Sequence, residues 1–201
     1  MNFVSSEFLV FCLATLAFYW ILKEKHKILL LLVASYAFYS FWDWRFAFLL
    51  LFLTISNHFL TSLMFKSKIL NTKKFILFCC LLLNLLILGA FKYFNFFTDG
   101  VQRLFDLLGF SLDVPTISIL LPLGLSFFIF QTSSYIIDVY RGVITPEKSF
   151  IKFATFVVYF PHMAAGPIMP ARILLPQISA VKVKPNADMV QSACFLIVIG
   201  L

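Results

Sequence analysis

The sequence predicts an all-α, polytopic transmembrane protein with a re-entrant element on the cytoplasmic side. Of its 201 residues 62% are hydrophobic and only 12% are charged, and the mean hydropathy is +0.98. A soluble domain of this length could not cover so much apolar surface with polar side chains, so lipid is the expected solvent. The basic residues lie in short connections between apolar runs, not in a stripe with base-stacking aromatics. Membrane lipid is therefore an expected partner, and nucleic acid is not.

Apolar runs close to the ~20 residues that cross a bilayer define the predicted spans. Five spans are expected, over residues 8–22, 28–42, 46–65, 75–97 and 115–137. The second closes on Trp42 and Trp44, a pair typical of a membrane interface. The fifth is interrupted by Pro122 and Gly124, and an incomplete apolar helix over 190–201 follows at the end of the sequence.

A shorter amphipathic segment follows the fourth span. Asp99, followed three residues later by Gln102, resembles a capping box, and Gly109 can end a helix. Apolar residues recur between them at helical spacing. The segment is too short and too charged to span, so a helix over 99–109 is expected to lie flat on the membrane surface.

Charge placement sets the expected orientation. If the chain alternates sides, 13 of the 16 basic residues fall on one face. These are Lys23, Lys25, Lys27, Lys66, Lys68, Lys73, Lys74, Arg141, Lys148, Lys152, Arg172, Lys182 and Lys184. The positive-inside rule makes that face cytoplasmic, with the N-terminus outside.

The segment over residues 150–170 carries basic residues on both sides and contains "YFPHMAAGP", which breaks the backbone at Pro161, Gly166 and Pro167. If this segment crossed the membrane fully, one of its two flanking sets of basic residues would lie on the non-cytoplasmic face. A re-entrant element that enters from the cytoplasm and returns keeps both sets on the cytoplasmic face, so it is the expected topology. Broken backbone at membrane depth is tolerated only where protein buries it or it lines a wet cavity. A plain loop between two helices is equally compatible with the local composition.

Polar residues cluster near the inner end of the fifth span. Gln131, Asp138 and Arg141 mark this region, and Asp138 and Arg141 are spaced to pair on a helix. One interpretation is an interfacial anchor. The alternative is a cavity wall that holds an ionised pair and contacts substrate.

The histidines have different contexts. His26 lies in a lysine cluster typical of a solvated loop. Asn57 and His58 lie inside the third span, where a pair bridging two helices by hydrogen bonds is favoured over a functional site. His162, at the break, is a candidate ligand contact, although no carboxylate is obviously placed to orient it. The sequence shows no metal-ligand cluster and no phosphate-cradling Gly-rich loop.

Four stretches resemble the membrane-bound O-acyltransferase family in order and spacing, and within it the bacterial alginate and peptidoglycan O-acetyltransferases. They are "YAFYSFWDWRF", "FKYFNFF", "LPLGLSFFIFQTSSYIIDVYRG" and "YFPHMAAGPIMPARILLPQI". The resemblance implies an inner-membrane enzyme with a cytoplasmic funnel. Its donor would be acetyl-CoA or another acyl thioester, its acceptor an extracytoplasmic polysaccharide, and a periplasmic acetyltransferase a common partner. Gly166 and Pro167 would shape the funnel floor, and Arg172 would meet the anionic donor.

The resemblance also implies what this sequence lacks. The family's essential histidine lies in the C-terminal half, and none of His26, His58 and His162 matches its context, so no catalytic residue is assigned. Family members are about twice as long or more. The expectation is a truncated form of the family fold, an N-terminal portion inactive without a C-terminal half chain. The alternative is a non-catalytic membrane subunit or a small transporter.

Overall fold

The computed structural model describes residues 5–108, 122, 124–163, 167–182 and 186–200. Within these residues the chain forms α-helices and no strand. The helices are α1 (Ser6–Ile21), α2 (Glu24–Lys66), α3 (Leu70–Leu107), α4 (Leu125–Tyr140), α5 (Phe150–Val158), α6 (Phe160–Met163), α7 (Ala171–Ser179) and α8 (Ala187–Gly200).

Two helical segments are long and apolar enough to cross a membrane, Asp43–Lys66 with 24 residues and Leu70–Phe94 with 25. They overlap the predicted spans over 46–65 and 75–97. Helix α1 is apolar but has 16 residues, or about 24 Å, less than the hydrocarbon core of about 30 Å. The all-α membrane fold class is confirmed, while the count of five spans stays a prediction.

Helix α2 contains a kink at the predicted boundary between the second and third spans. Asp43 has extended backbone angles, φ −161° and ψ 114°, with helix on both sides. Its carboxylate accepts hydrogen bonds from the backbone N–H and the guanidinium of Arg45, at 2.9 Å and 2.7 Å. Asp43 thus caps the start of the second half of α2, because an N-cap side chain accepts from the N–H two positions on.

Helix α3 differs from the predicted arrangement. It runs without a break from Leu70 to Leu107, so the segment expected as a separate surface helix forms the last turns of α3. Gly100 does not stop the helix, because an interior glycine costs only about 1 kcal/mol relative to alanine. The flat position of this segment on the membrane stays a prediction, and Gly109 lies outside the described residues.

Two glycines bound helix α4. Gly124 precedes it with φ 70° and Gly142 follows it with φ 73°, in the left-handed region that favours glycine. The interruption expected at Gly124 is therefore the start of a helix. Residues 115–121 of the predicted fifth span lie outside the described part of the chain.

Helix α5 forms the centre of the packed core. It has nine residues, about 14 Å, and its N-cap is Ser149, whose hydroxyl accepts from the Lys152 N–H. Every residue from Phe153 to Val158 is buried, against α2, α4 and α7. A helix this short does not cross a bilayer, in keeping with the re-entrant hypothesis for 150–170, whose membrane position stays a prediction.

Candidate functional site

A cavity of about 510 Å³ lies among α1, α2, α6 and α7. Most of its wall is apolar, and its polar lining comes from Thr15, Tyr19, Tyr159, His162 and Gln177. We call it the His162 cavity. Ligand sites in proteins are commonly of this size, with an apolar wall and a few converging polar groups.

A long-range hydrogen bond and an aromatic cluster fix α6 at this cavity. The Phe160 N–H donates to Ser35 Oγ at 3.2 Å, while that hydroxyl donates to the Leu31 carbonyl at 2.7 Å. The Phe160 ring lies 5.4 Å from Phe11 and 5.9 Å from Phe38, centroid to centroid. The break after α5 is therefore held by α1 and the first half of α2.

The imidazole of His162 is partly enclosed in the cavity wall. Its Nδ1 atom is buried and has no hydrogen-bond partner among the described residues, and its ring centroid lies 5.5 Å from that of Tyr159. Burial lowers the pKa of His162 below its ordinary value, and the nearby Pro167 carbonyl opposes this in part. Burial also raises the pKa of the Tyr159 phenol. Both groups are therefore neutral at pH 7, so His162 can hydrogen bond a ligand without carrying charge.

The lowered pKa of His162 predicts a pH dependence of stability. The unfolded chain takes up a proton below about pH 6.5, whereas the folded ring resists protonation until lower pH. Stability from His162 is thus present above that pH and is lost as the pH falls through the folded pKa. We expect the thermal midpoint of purified H162Q to fall less between about pH 7 and 5 than that of the parent protein.

The matched control for that measurement is H26Q, at the exposed His26. It measures the effect of replacing a histidine that does not line the His162 cavity. Parallel profiles for the parent and H162Q would contradict the assignment, because the imidazole would then titrate alike in the folded and unfolded chains.

Arg172 lies in a different pocket, on the other face of α7. This pocket of about 390 Å³, which we call the Arg172 pocket, is lined by Thr145, Glu147, Arg172, Pro176 and Ser179, among others. Pro176 lies inside α7 and has no N–H, so it cannot bond the carbonyl of Arg172 four residues earlier. Leu174 and Ile178 line the His162 cavity instead. Helix α7 is thus a shared wall that separates two predicted site residues.

Two residues outside the sequence prediction position the Arg172 pocket. The buried Tyr135 hydroxyl accepts from the Glu147 N–H at 2.9 Å, and Glu147 Oε1 accepts from the Ser149 N–H at 2.9 Å. These bonds hold the connection between α4 and α5 against the core. The polar run "TPEKS" marks a turn in the sequence, but nothing local indicates that a tyrosine twelve residues earlier fixes it.

The polar residues near the end of α4 do not form one site. Gln131 is 1% exposed, and its Nε2 donates to the Phe156 carbonyl at 2.9 Å, which ties α4 to α5. Among the described residues Asp138 and Arg141 form no ion pair within 4 Å, although their spacing allows one. Arg141 is exposed. The backbone carbonyl of Asp138 accepts a hydrogen bond from the Val143 N–H, in the turn after α4, at 2.9 Å.

The break itself is only partly described. Pro167 is exposed and lies close enough to affect His162, whereas Gly166 lies outside the described residues. The structure therefore places His162 in one cavity, close to Pro167, and Arg172 in the other pocket. Roles of these residues in substrate binding stay predictions.

The chain is similar to bacterial O-acetyltransferases. The "Probable alginate O-acetylase AlgI" of Pseudomonas aeruginosa is 40% identical over 182 residues, which are 88% of this chain and 34% of that protein. The protein of the same name from Azotobacter vinelandii is 37% identical over 180 residues, 88% of this chain and 36% of that protein. A "Peptidoglycan O-acetyltransferase" of Helicobacter pylori is 30% identical over 171 residues, 73% of this chain and 32% of that protein.

These similarities fit a branch of the membrane-bound O-acyltransferase family, and the match to only a third of each relative fits an N-terminal portion. The chain spans about a third of the length of the curated relatives it matches. No family model matches the sequence, and no solved structure matches it.

A buried amide pair joins three helices of the chain. Asn57 Nδ2 donates to Asn84 Oδ1 at 3.0 Å and Asn84 Nδ2 donates to Asn57 Oδ1 at 3.2 Å. Asn84 Nδ2 also lies 3.4 Å from the Ser133 hydroxyl, so the pair links α2, α3 and α4. The structure thus shows the bridging role for Asn57. His58 instead packs against aromatic rings of α5, with centroids 5.2 Å apart at Phe153.

Proposed function

We propose that the chain is the N-terminal portion of a membrane O-acetyltransferase. It would pass acetyl groups from a cytoplasmic donor to an extracytoplasmic polysaccharide of the alginate or peptidoglycan type. The observation that carries this proposal is the similarity to alginate O-acetylases over 88% of the chain. No catalytic residue is proposed within it, and transfer requires a C-terminal half chain.

The proposed donor contact is Arg172. Acetyl-CoA and thioester carriers present phosphate groups, which the planar guanidinium of arginine binds through two parallel hydrogen bonds. The Arg172 guanidinium is exposed, and Thr145 and Ser179 add hydroxyls to the same pocket. By the positive-inside rule, the basic connections of the sequence favour a cytoplasmic position for this pocket, where such donors are found.

The other site residues have supporting roles in this proposal. His162 would offer a neutral hydrogen-bonding group in its own cavity, and Gly166 with Pro167 would shape the funnel floor. Gln131 holds α4 on α5, and Asp138 and Arg141 form the cytoplasmic rim. The proposed location is the bacterial inner membrane, with several spans and the N-terminus outside. A periplasmic acetyltransferase would complete transfer to the polysaccharide.

A chimera tests this function. The chain is fused to the remaining C-terminal part of the Pseudomonas aeruginosa relative and expressed in cells that make alginate but lack their own O-acetylase. We expect acetyl ester on the alginate from the chimera and none from the 201-residue chain alone. Acetylation by the chain alone would contradict the proposal. An inserted but inactive chimera would also contradict it and favour a non-catalytic subunit.

Within an active chimera, R172M is expected to lower acetylation about 10- to 100-fold. A charge-assisted hydrogen bond of about 1.5–3 kcal/mol corresponds to that range. The matched control is K74M, an exposed cation on α3 away from both pockets. Rates for R172M equal to those for K74M would show that Arg172 does not contact the donor.

A further inference from the structure

The side chain of Lys27 is unusual among the described lysines, because it is only 7% exposed. Its Nζ donates to the Val181 carbonyl at 3.2 Å. The same ammonium lies 4.8 Å from the Tyr19 ring centroid and 4.9 Å from that of Trp20. The two rings are nearly perpendicular, at 89°, and form a corner around the cation.

These contacts join the ends of two helices that line the His162 cavity. Tyr19, near the end of α1, is part of the cavity wall. Val181 follows the end of α7, three residues after Ile178, another wall residue. One ammonium therefore connects the α1 side and the α7 side at the same end of the cavity.

Within the described part of the chain, the Lys27 ammonium contacts a neutral carbonyl and two aromatic faces. Such contacts are stronger when the cation is desolvated than at the surface. Opening would return the ammonium to water, and its rehydration would offset part of the lost contact energy. The ion pair between Lys182 and Glu24, at 4.0 Å, is exposed on both sides and adds little to the closure.

We propose that Lys27 controls access to the His162 cavity by fastening the end of α7 to the end of α1. The charge of the ammonium is the essential feature, because both the aromatic corner and the carbonyl interact with a cation. The methylene stem only packs between them. Removing the charge while keeping the stem should separate the two ends and expose the cavity interior.

Cys12 provides a reporter inside the cavity, since its side chain lines the wall. The full chain is reconstituted in lipid vesicles with Cys79, Cys80 and Cys194 replaced by alanine, and Cys12 is alkylated with N-ethylmaleimide, an uncharged reagent. A second form keeps only Cys80, which is fully buried in α3 and reports general unfolding.

Three variants are compared in both forms. We expect K27M to raise the alkylation rate of Cys12 about tenfold, which corresponds to about 1.4 kcal/mol. K27R keeps the cation and should stay close to the parent. K25M removes an exposed charge two residues earlier and should leave the rate unchanged. Cys80 should stay slow throughout.

Three results would overturn the inference. A K27M rate equal to the parent rate would show that Lys27 does not control access. A K27R rate as high as that of K27M would show that the charge is not the essential feature. Faster alkylation of Cys80 together with Cys12 in K27M would show that the lysine holds the whole fold, not one end of the cavity.

Discussion

Replacing Phe160 with alanine is expected to destabilise the protein by about 3–4 kcal/mol, the range for a large aromatic removed from a packed core. Phe160 is 3% exposed and its ring lies against Phe8, Phe11 and Phe38, at centroid distances of 5.4 to 6.4 Å. The hydrogen bond to Ser35 uses the Phe160 backbone and survives the substitution. The loss therefore reports packing alone.

The matched control for F160A is F59A, because Phe59 is 60% exposed on the outside of α2. We expect F59A to lower the free energy of unfolding by less than about 1 kcal/mol, since lipid replaces the contacts of an outward-facing side chain. Denaturant or thermal unfolding in one detergent measures both. Equal losses for the two variants would contradict the packing of α6 against α1 and α2.

Replacing Asn57 with leucine is expected to destabilise the protein by about 2 kcal/mol, within the range for a buried polar group left without its partner. Asn57 and Asn84 are both fully buried. Without Asn57, the Asn84 Oδ1 atom loses its only described acceptor bond, and Nδ2 retains only the Ser133 hydroxyl. Most of the lost stability arises because the buried Asn84 amide is left without its partner, and less arises from the hydrogen bond itself.

A double-substitution cycle separates these two contributions. Because N84L removes the stranded partner, we expect N57L/N84L to lose about as much as either single variant, not the sum. The control is S62A, which removes only a bond from the Ser62 hydroxyl to the His58 carbonyl of the same helix, at 2.8 Å. Its effect should be within about 0.5 kcal/mol. Additive losses at Asn57 and Asn84 would contradict the reciprocal pair.

The prediction from sequence was most accurate where the signal is local. The kink in α2 follows from Asp43 and its neighbours, and the start of α4 follows from Gly124, because both conformations are set by adjacent residues. It was least accurate for α3. Capping residues and a glycine near residue 100 indicate a helix end, but they do not exclude continuation, and the structure continues to Leu107.

The candidate site shows the same difference. Gln131, Asp138 and Arg141 are close in sequence and suit a shared site, yet Gln131 bonds to α5 while Arg141 is exposed. His162 and Arg172 belong to the same broken segment, yet α7 places them in different pockets. Helix faces alternate every few residues, so proximity along the chain does not decide which cavity a side chain lines.

By itself the sequence determined that this chain is a helical membrane protein, where its backbone breaks and which family its motifs resemble. Those properties depend on composition and on short-range patterns. Only the tertiary structure decided that Asn57 pairs with Asn84, that Tyr135 fixes Glu147, and that Lys27 joins α1 to the end of α7. Each of these contacts joins residues that are distant along the chain or lie on different helices, and the packing of the helices alone brings them within bonding distance.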